Sequence, residues 1–230
     1  MSALAISSRS HWGGPAAPFG SIYSPAMVAV TVHHTFSPAL PASATVAQER
    51  AAMLGMHRDH INRNGWAGIG YHFVIFQSGR VYEGRGWGRT GAHAGSADGN
   101  RTLGVVFTIN GETTAPSAAA LNALGQLRDL GVREGRLTRG HALKLHMDWK
   151  ATSCPGRKVV EALRELPAPS RRVAGVVLSR GDRGEKVELL QDLLVATGYM
   201  TAAQKATGPG VFGPQTEAAF RTFREAHSDV

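Results

Sequence analysis

The chain has 230 residues, 43% of them hydrophobic and 18% charged, with a formal net charge of +8. That balance excludes a disordered chain, and the length suits one domain plus a smaller second one. The single cysteine, Cys154, excludes an internal disulfide, and no apolar run approaches the length of a membrane span.

The start, MSALAISSRSHWGGP, has no basic segment leading into a long apolar core, so it does not read as a secretory signal. Residues 27–32 (MVAVTV) are apolar and β-branched. They predict a buried strand that ends on His33 and His34. After the loop PALPAS, the pattern from Thr45 to Asn62 turns helical. Val46, Met53, Met56, His60 and Ile61 mark one side, and Asn64-Gly65 supplies the stop. Residues 70–76 and 81–85 flank the turn QSGR and predict a β-hairpin, with Gly79 in the turn. Strict alternation would put Tyr71, Phe73 and Ile75 on one face of its first strand.

Residues 84–101 are glycine-rich and read as a long loop. Within them GWGRTG fits a dinucleotide-binding fingerprint, but AHAGSADGN after it is poor helix material, so that reading is rejected. Residues 102–109 predict another buried strand, 117–133 an amphipathic helix capped by Ser117, and 156–166 a short helix. The segment PAPSRR marks a boundary. Beyond it, 186–197 predicts a helix burying Val187, Leu190 and Leu194. A second helix follows Gly213-Pro214 and buries Ala219, Phe220 and Phe223. The expected architecture is a mixed α/β domain over 1–166, with a central mixed sheet flanked by helices. A linker over 167–175 and a small all-α domain over 176–230 complete it.

The strongest chemical signal is a set of possible metal ligands. His33 closes the first strand, and His146 and Cys154 lie eight residues apart in HMDWKATSCPG. Two imidazoles and a thiolate suit zinc, and three protein ligands leave the fourth position of a catalytic ion open. Spacing alone leaves the alternative open, because the chain has ten histidines and a given one is more often a core or surface residue. The excess of positive charge falls in the N-terminal part, since residues 170–230 are close to neutral. Such a surface attracts polyanions or simply aids solubility.

VTVHHTF, GWAGIGYHFVIFQSGRVYEGRGW, GAHA and HMDWKATSCPG occur in that order. Residues 8–165 thereby resemble the peptidoglycan recognition protein and phage-lysozyme-like amidase family. The resemblance implies a zinc ion on His33, His146 and Cys154, which leaves His34 as a neighbour on the opposite side of the strand that packs or supports the site. Asp148, two residues after His146, reads equally as a group that orients a ligand or as a surface aspartate. It implies a catalytic Tyr71 whose hydroxyl holds the attacking water or the substrate carbonyl. Position 152, Lys in some members, is Thr152 here, which offers a hydroxyl where a charge could stabilise an oxyanion. His93, in GAHAG, resembles a family residue that lines the substrate groove. Trp66, Arg85 and Trp87 are groove candidates by chemistry, the aromatic faces for sugar and peptide edges and the arginine for stem-peptide carboxylates. The stretch 178–227 resembles the small three-helix peptidoglycan-binding domain found on wall hydrolases.

These resemblances imply a zinc N-acetylmuramoyl-L-alanine amidase. A phage endolysin that waits in the host cytoplasm before lysis is the leading setting, with a bacterial wall-remodelling or recycling amidase as the runner-up. A non-catalytic peptidoglycan receptor is disfavoured because Cys154 is present. Bacterial cell-wall peptidoglycan is the expected partner, and a monomer the expected state. No specific nucleic-acid motif accompanies the basicity, membrane insertion is not expected, and no pair of carboxylates stands out as a glycosidase would need.

Overall fold

The computed structural model describes residues 4–164 and 178–226. In chain order the first stretch forms β1 (Ile6–Ser7), a 3-10 turn (Arg9–Trp12), β2 (Met27–His34), α1 (Val46–Asn62), β3 (Phe73–Ile75) and β4 (Val81–Glu83). It continues with α2 (Ala97–Asn100), β5 (Leu103–Phe107), α3 (Ala118–Arg133), β6 (Leu137–Leu145), a 3-10 turn (His146–Asp148) and α4 (Arg157–Arg164). The second stretch holds α5 (Glu185–Ala196), α6 (Ala202–Ala206) and α7 (Pro214–Ala226). The two stretches fall in separate compact units that divide near residue 170. The expected linker, 167–175, lies outside the described residues.

The six strands form one sheet in the order β1-β4-β3-β5-β2-β6. Only the β3–β4 hairpin is antiparallel, so the sheet is mixed as expected. Side chains alternate along β2 and give the sheet two cores. Val30, Val32, Phe73, Ile75, Val105 and Phe107 pack beneath Leu124 and Leu127 of α3 and Val159 of α4. On the other face Val74, Phe76, Tyr82 and Val106 pack against Trp12 and Met53 of α1. His33 is in register with Val106 and His34 with Phe107, so the adjacent histidines leave the strand on opposite faces.

Three expectations change. Tyr71 does not share the face of Phe73 and Ile75, because the strand begins at Phe73 and Tyr71 packs on the α1 side. The regular ladder is broken there: the Gly84 and Gly86 amides both donate to the His72 carbonyl, and the alternation loses its phase. Along α1, Val46 and Ile61 are exposed, while Glu49 and Met53 are buried. Strand β6, in LTRGHALKL, was not anticipated. Its buried positions, Leu137 and His141, are four residues apart with Arg139 and Gly140 exposed between them, so no period of two shows, and pairing with β2 holds it in place.

Glu49 explains the misread helix face. Its carboxylate accepts from Arg80 Nε at 2.6 Å, Ser78 Oγ at 2.6 Å and Tyr82 OH at 2.9 Å, and so pins α1 to the β3–β4 hairpin. A capping box between Thr45 and Gln48 starts the same helix. A buried carboxylate with three donors is tolerated because each of its partners is satisfied. In the second unit, buried Gln191 has the equivalent role. Its Nε2 donates to the carbonyls of Gly208 and Val211 and to Thr216 Oγ1, and its Oε1 accepts from Gly210 N. Around it Leu194, Met200 and Ala219 form the small core, with Leu190, Phe220 and Phe223 packed against them.

Replacing Glu49 with Ala strands those three donors. The expected loss is about 3 kcal/mol of unfolding free energy, read from urea denaturation.

Candidate metal centre and the adjoining pocket

Strands β2 and β6 run parallel with Val32 opposite Leu145. The residues that follow each are therefore His33 and His146, and their ring centroids stand 4.5 Å apart. Cys154 arrives from the loop before α4 and sets its Sγ 3.8 Å from His33 Nδ1. The loop can come this close because Gly156 and Gly111 meet backbone to backbone, where a Cβ on either would overlap the other strand of chain. The Cys154 carbonyl accepts from Met147 N at 3.0 Å, which ties the loop to the turn that bears His146.

One ligand atom from each of His33, His146 and Cys154 lies within 4.8 Å of the others. A tetrahedral ion with zinc-like bond lengths requires about 3.6 Å between a nitrogen and a sulfur donor, close to the observed spacing. His146 Nε2 is buried without a hydrogen-bond partner, as a nitrogen waiting for a metal would be. The residues present therefore fit a metal ion.

The histidine tautomers follow from a chain of contacts. His93 Nε2 lies 3.2 Å from the Thr102 carbonyl, which can only accept, so that nitrogen carries the proton. Neutral His93 then has its lone pair on Nδ1, which lies 2.9 Å from His33 Nε2. His33 Nε2 must donate, which leaves the His33 Nδ1 lone pair facing Cys154. Burial drives the pKa of both His33 and His93 well below the ordinary histidine value, so both rings stay neutral. Gly91 and Gly104 form the slot that holds His93, since a Cβ on either would overlap the ring. Beside it, His72 accepts from Gly104 N and donates to the Arg89 carbonyl, and burial lowers its pKa to about 4.

Tyr71 packs at a tilt against the cluster, 5.1 Å from His33 and 5.7 Å from His60 between ring centroids. Burial, then the nearby Cys154, raise its pKa above the ordinary phenol value, so it is a hydrogen-bond donor at neutral pH. Burial pushes the Cys154 thiol up to about 11, opposed by the His34 backbone N–H that points at the sulfur from 3.4 Å. A cavity of about 490 Å³ opens beside the centre and is lined by His93, His146, Trp66, Asn100 and Lys150 among others.

The sequence profile described as N-acetylmuramoyl-L-alanine amidase matches residues 24–157. The chain belongs to this amidase family. Over 167 residues it is 38% identical to N-acetylmuramoyl-L-alanine amidase of Sus scrofa, covering 71% of this chain and 27% of that one. This chain thus spans about a quarter of the pig protein. It is 34% identical to peptidoglycan-recognition protein 1 of Holotrichia diomphalia, covering 73% of this chain and 83% of the other. Among solved structures it resembles peptidoglycan recognition protein-LE in complex with tracheal cytotoxin, a monomeric diaminopimelic acid-type peptidoglycan. The TM-score there is 0.63 at 30% identity, covering 70% of this chain and 94% of that chain.

Within this family frame the expected site residues separate into two groups. His33, His146, Cys154, Tyr71, His93 and Trp66 converge on the centre or its cavity. Arg85 does not reach the groove. It is buried, gives Nε to the Ile69 carbonyl and Nη1 to the Thr90 carbonyl, and covers Phe19. Trp87 packs on Phe73 with centroids 4.7 Å apart, on the face of the sheet away from His33. Their motif, EGRGW, reads as recognition chemistry, yet it serves packing here.

His34 accepts from Gly111 N through Nδ1, and so anchors the stretch that Gly156 meets. Asp148 accepts from Leu145 N at 2.9 Å and holds the turn that starts at His146. Thr152 is exposed, and its Oγ1 accepts from Cys154 N at 3.2 Å, which shapes the turn presenting the thiol. Two contributors went unnoticed in the sequence. His60 accepts from Gly70 N and supports Trp66 and Tyr71. Lys150 lines the cavity, and nothing in KATSCPG distinguishes it from a solvated surface lysine.

Metal binding must displace one proton, that of Cys154, because burial already holds the two histidine ligands neutral. Apparent zinc affinity should therefore fall about tenfold per pH unit from pH 8 to pH 6, with about one proton released in calorimetry across buffers of different ionisation enthalpy. His93→Ala removes the group that orients His33, and the same titration should show metal affinity about 10- to 100-fold weaker.

Proposed function

We propose that this protein is a zinc-dependent N-acetylmuramoyl-L-alanine amidase that hydrolyses the amide between the lactyl group of muramic acid and the first stem residue. The observation that carries the reading is the convergence of two neutral imidazoles and one cysteine beside an open cavity. Cys154 favours the enzyme over a receptor of the same fold, because a receptor has no need of a third ligand. His33, His146 and Cys154 would hold the ion, which supplies Lewis-acid polarisation and acidification of water. Tyr71 stays protonated and can donate to the carbonyl oxygen as it gains charge. His93 holds His33 in the ligating tautomer. Trp66 offers an aromatic wall for the sugar or peptide.

The second unit extends the reading to an enzyme that stays on its polymer. Residues 178–227 resemble a wall-binding module, and a depression of about 390 Å³ lined by Tyr199, Gln204, Gln215 and Thr222 offers amide and hydroxyl groups to a sugar. Tethering raises effective concentration on an insoluble substrate. A lytic role of the endolysin kind, in which the enzyme meets the wall from the cytoplasm after the membrane is breached, suits that pairing.

Purified walls digested with the full chain should gain N-terminal alanine without new reducing ends. New reducing ends alone would overturn the amidase. Cys154→Ala should lower the rate by at least about 10³-fold and lose the metal, and the protein should pellet with the walls whether or not it cleaves them.

A further inference from the structure

We infer that the cavity beside His146 is a carboxylate subsite whose cation is Lys150, and that it selects stem peptides with a free carboxylate close to the scissile amide. The inference rests on the peptidoglycan reading above and adds a specificity to it.

Asn100 Oδ1 accepts from His93 N at 2.8 Å and from Ala94 N at 2.9 Å, so both lone pairs are engaged and only its N–H groups remain. Ser96 Oγ accepts from Gly99 N at 3.1 Å, which leaves its O–H to donate. Both nitrogens of His93 are engaged inside the protein. Away from His146 and its metal-facing nitrogen, the side chains of the cavity thus offer chiefly donors, and no carboxylate lines it among the described residues.

Lys150 supplies the charge. Its side chain lies across Gly95, where a Cβ would meet Lys150 Cδ at 3.2 Å and Nζ at 4.0 Å. Its charge also acts on the His146 imidazole. The nearby acids are engaged elsewhere: Asp148 turns back to Leu145 N, and Asp98 pairs with Arg101 at 3.6 Å. A donor-rich rim with one ammonium that pairs with no carboxylate among the described residues suits an anion. The cavity shares His146 with the metal centre, and an extended peptide advances about 3.3–3.6 Å per residue, so the anion sits within about two residues of the scissile amide.

The test uses two muramyl tripeptides that differ only at the second stem residue. One carries D-glutamate with a free α-carboxylate, and the other its α-amide. Calorimetry on Cys154→Ser protein, and on chelator-treated wild type as a second background, should show the acid binding about fivefold more tightly, a preference that shrinks with added salt. Lys150→Gln should abolish the preference, Lys150→Glu should reverse it, and Lys150→Arg should keep it. In active enzyme, Lys150→Gln should raise KM for the acid with little change in kcat. Equal kcat losses on both fragments would place Lys150 on the scissile carbonyl and overturn the subsite, as would a preference that survives Lys150→Gln. If both fragments bind wild type equally, the subsite fails and the amidase reading stands. If neither binds, the peptidoglycan reading itself fails.

Discussion

The parallel pairing of β2 with β6 is the constraint on which the rest of the molecule depends. Its register sets Val32 against Leu145, and the residue after each, His33 and His146, belongs to the candidate metal centre. A slip of one residue would send His33 to the opposite core, where α3 and α4 leave no room for it. The site thus stands where parallel sheets usually offer one, at the carboxyl ends of adjacent strands. Cys154 is added by a loop whose close approach depends on two glycines. The centre is then a property of the sheet more than of any local motif.

Around that register the protein assembles an unusual density of imidazoles and keeps them uncharged. His33, His72 and His93 are almost wholly buried, and desolvation is the leading cause of each lowered pKa. Burying charge would cost far more than burying neutral rings that are hydrogen-bonded at both nitrogens. Neutrality also serves ligation, since only the unprotonated nitrogen can bind a metal. The chain from the Thr102 carbonyl through His93 to His33 fixes which nitrogen that is. Stability and chemistry make the same demand here, so the cluster need not trade one against the other.

Much of this was legible in the residues. The apolar strands at 27–32 and 102–109, the Ser117-capped helix and the hairpin around Gly79 follow from local pattern and turn chemistry. The cluster of His33, His146 and Cys154 was legible through the family that the ordered motifs resemble. What was hidden shares one cause, namely side chains whose role is decided by distant partners. β6 shows no alternating apolar face, with only Leu137 and His141 buried, and exists because β2 pairs with it. Glu49 faces inward because the hairpin brings three donors to it. Arg85 and Trp87 carry recognition chemistry by type, but the carbonyls and ring waiting for them lie in the interior. Tyr71 joined the other face because the ladder misses a step at His72. Lys150 carries no signature until the cavity beside it exists.

The order in which the centre is completed has a consequence for synthesis. β2 leaves the ribosome early, but its neighbour β6 and the loop bearing Cys154 follow more than a hundred residues later. Until residue 154 has been made, the nascent chain has at most two of the three ligands and no sulfur among them. A nascent chain of this design cannot yet bring the three side chains together, and any chain that stops short of the loop never does. Translation itself therefore sets the order of assembly, closing the His33–His146–Cys154 cluster only with a nearly finished first unit.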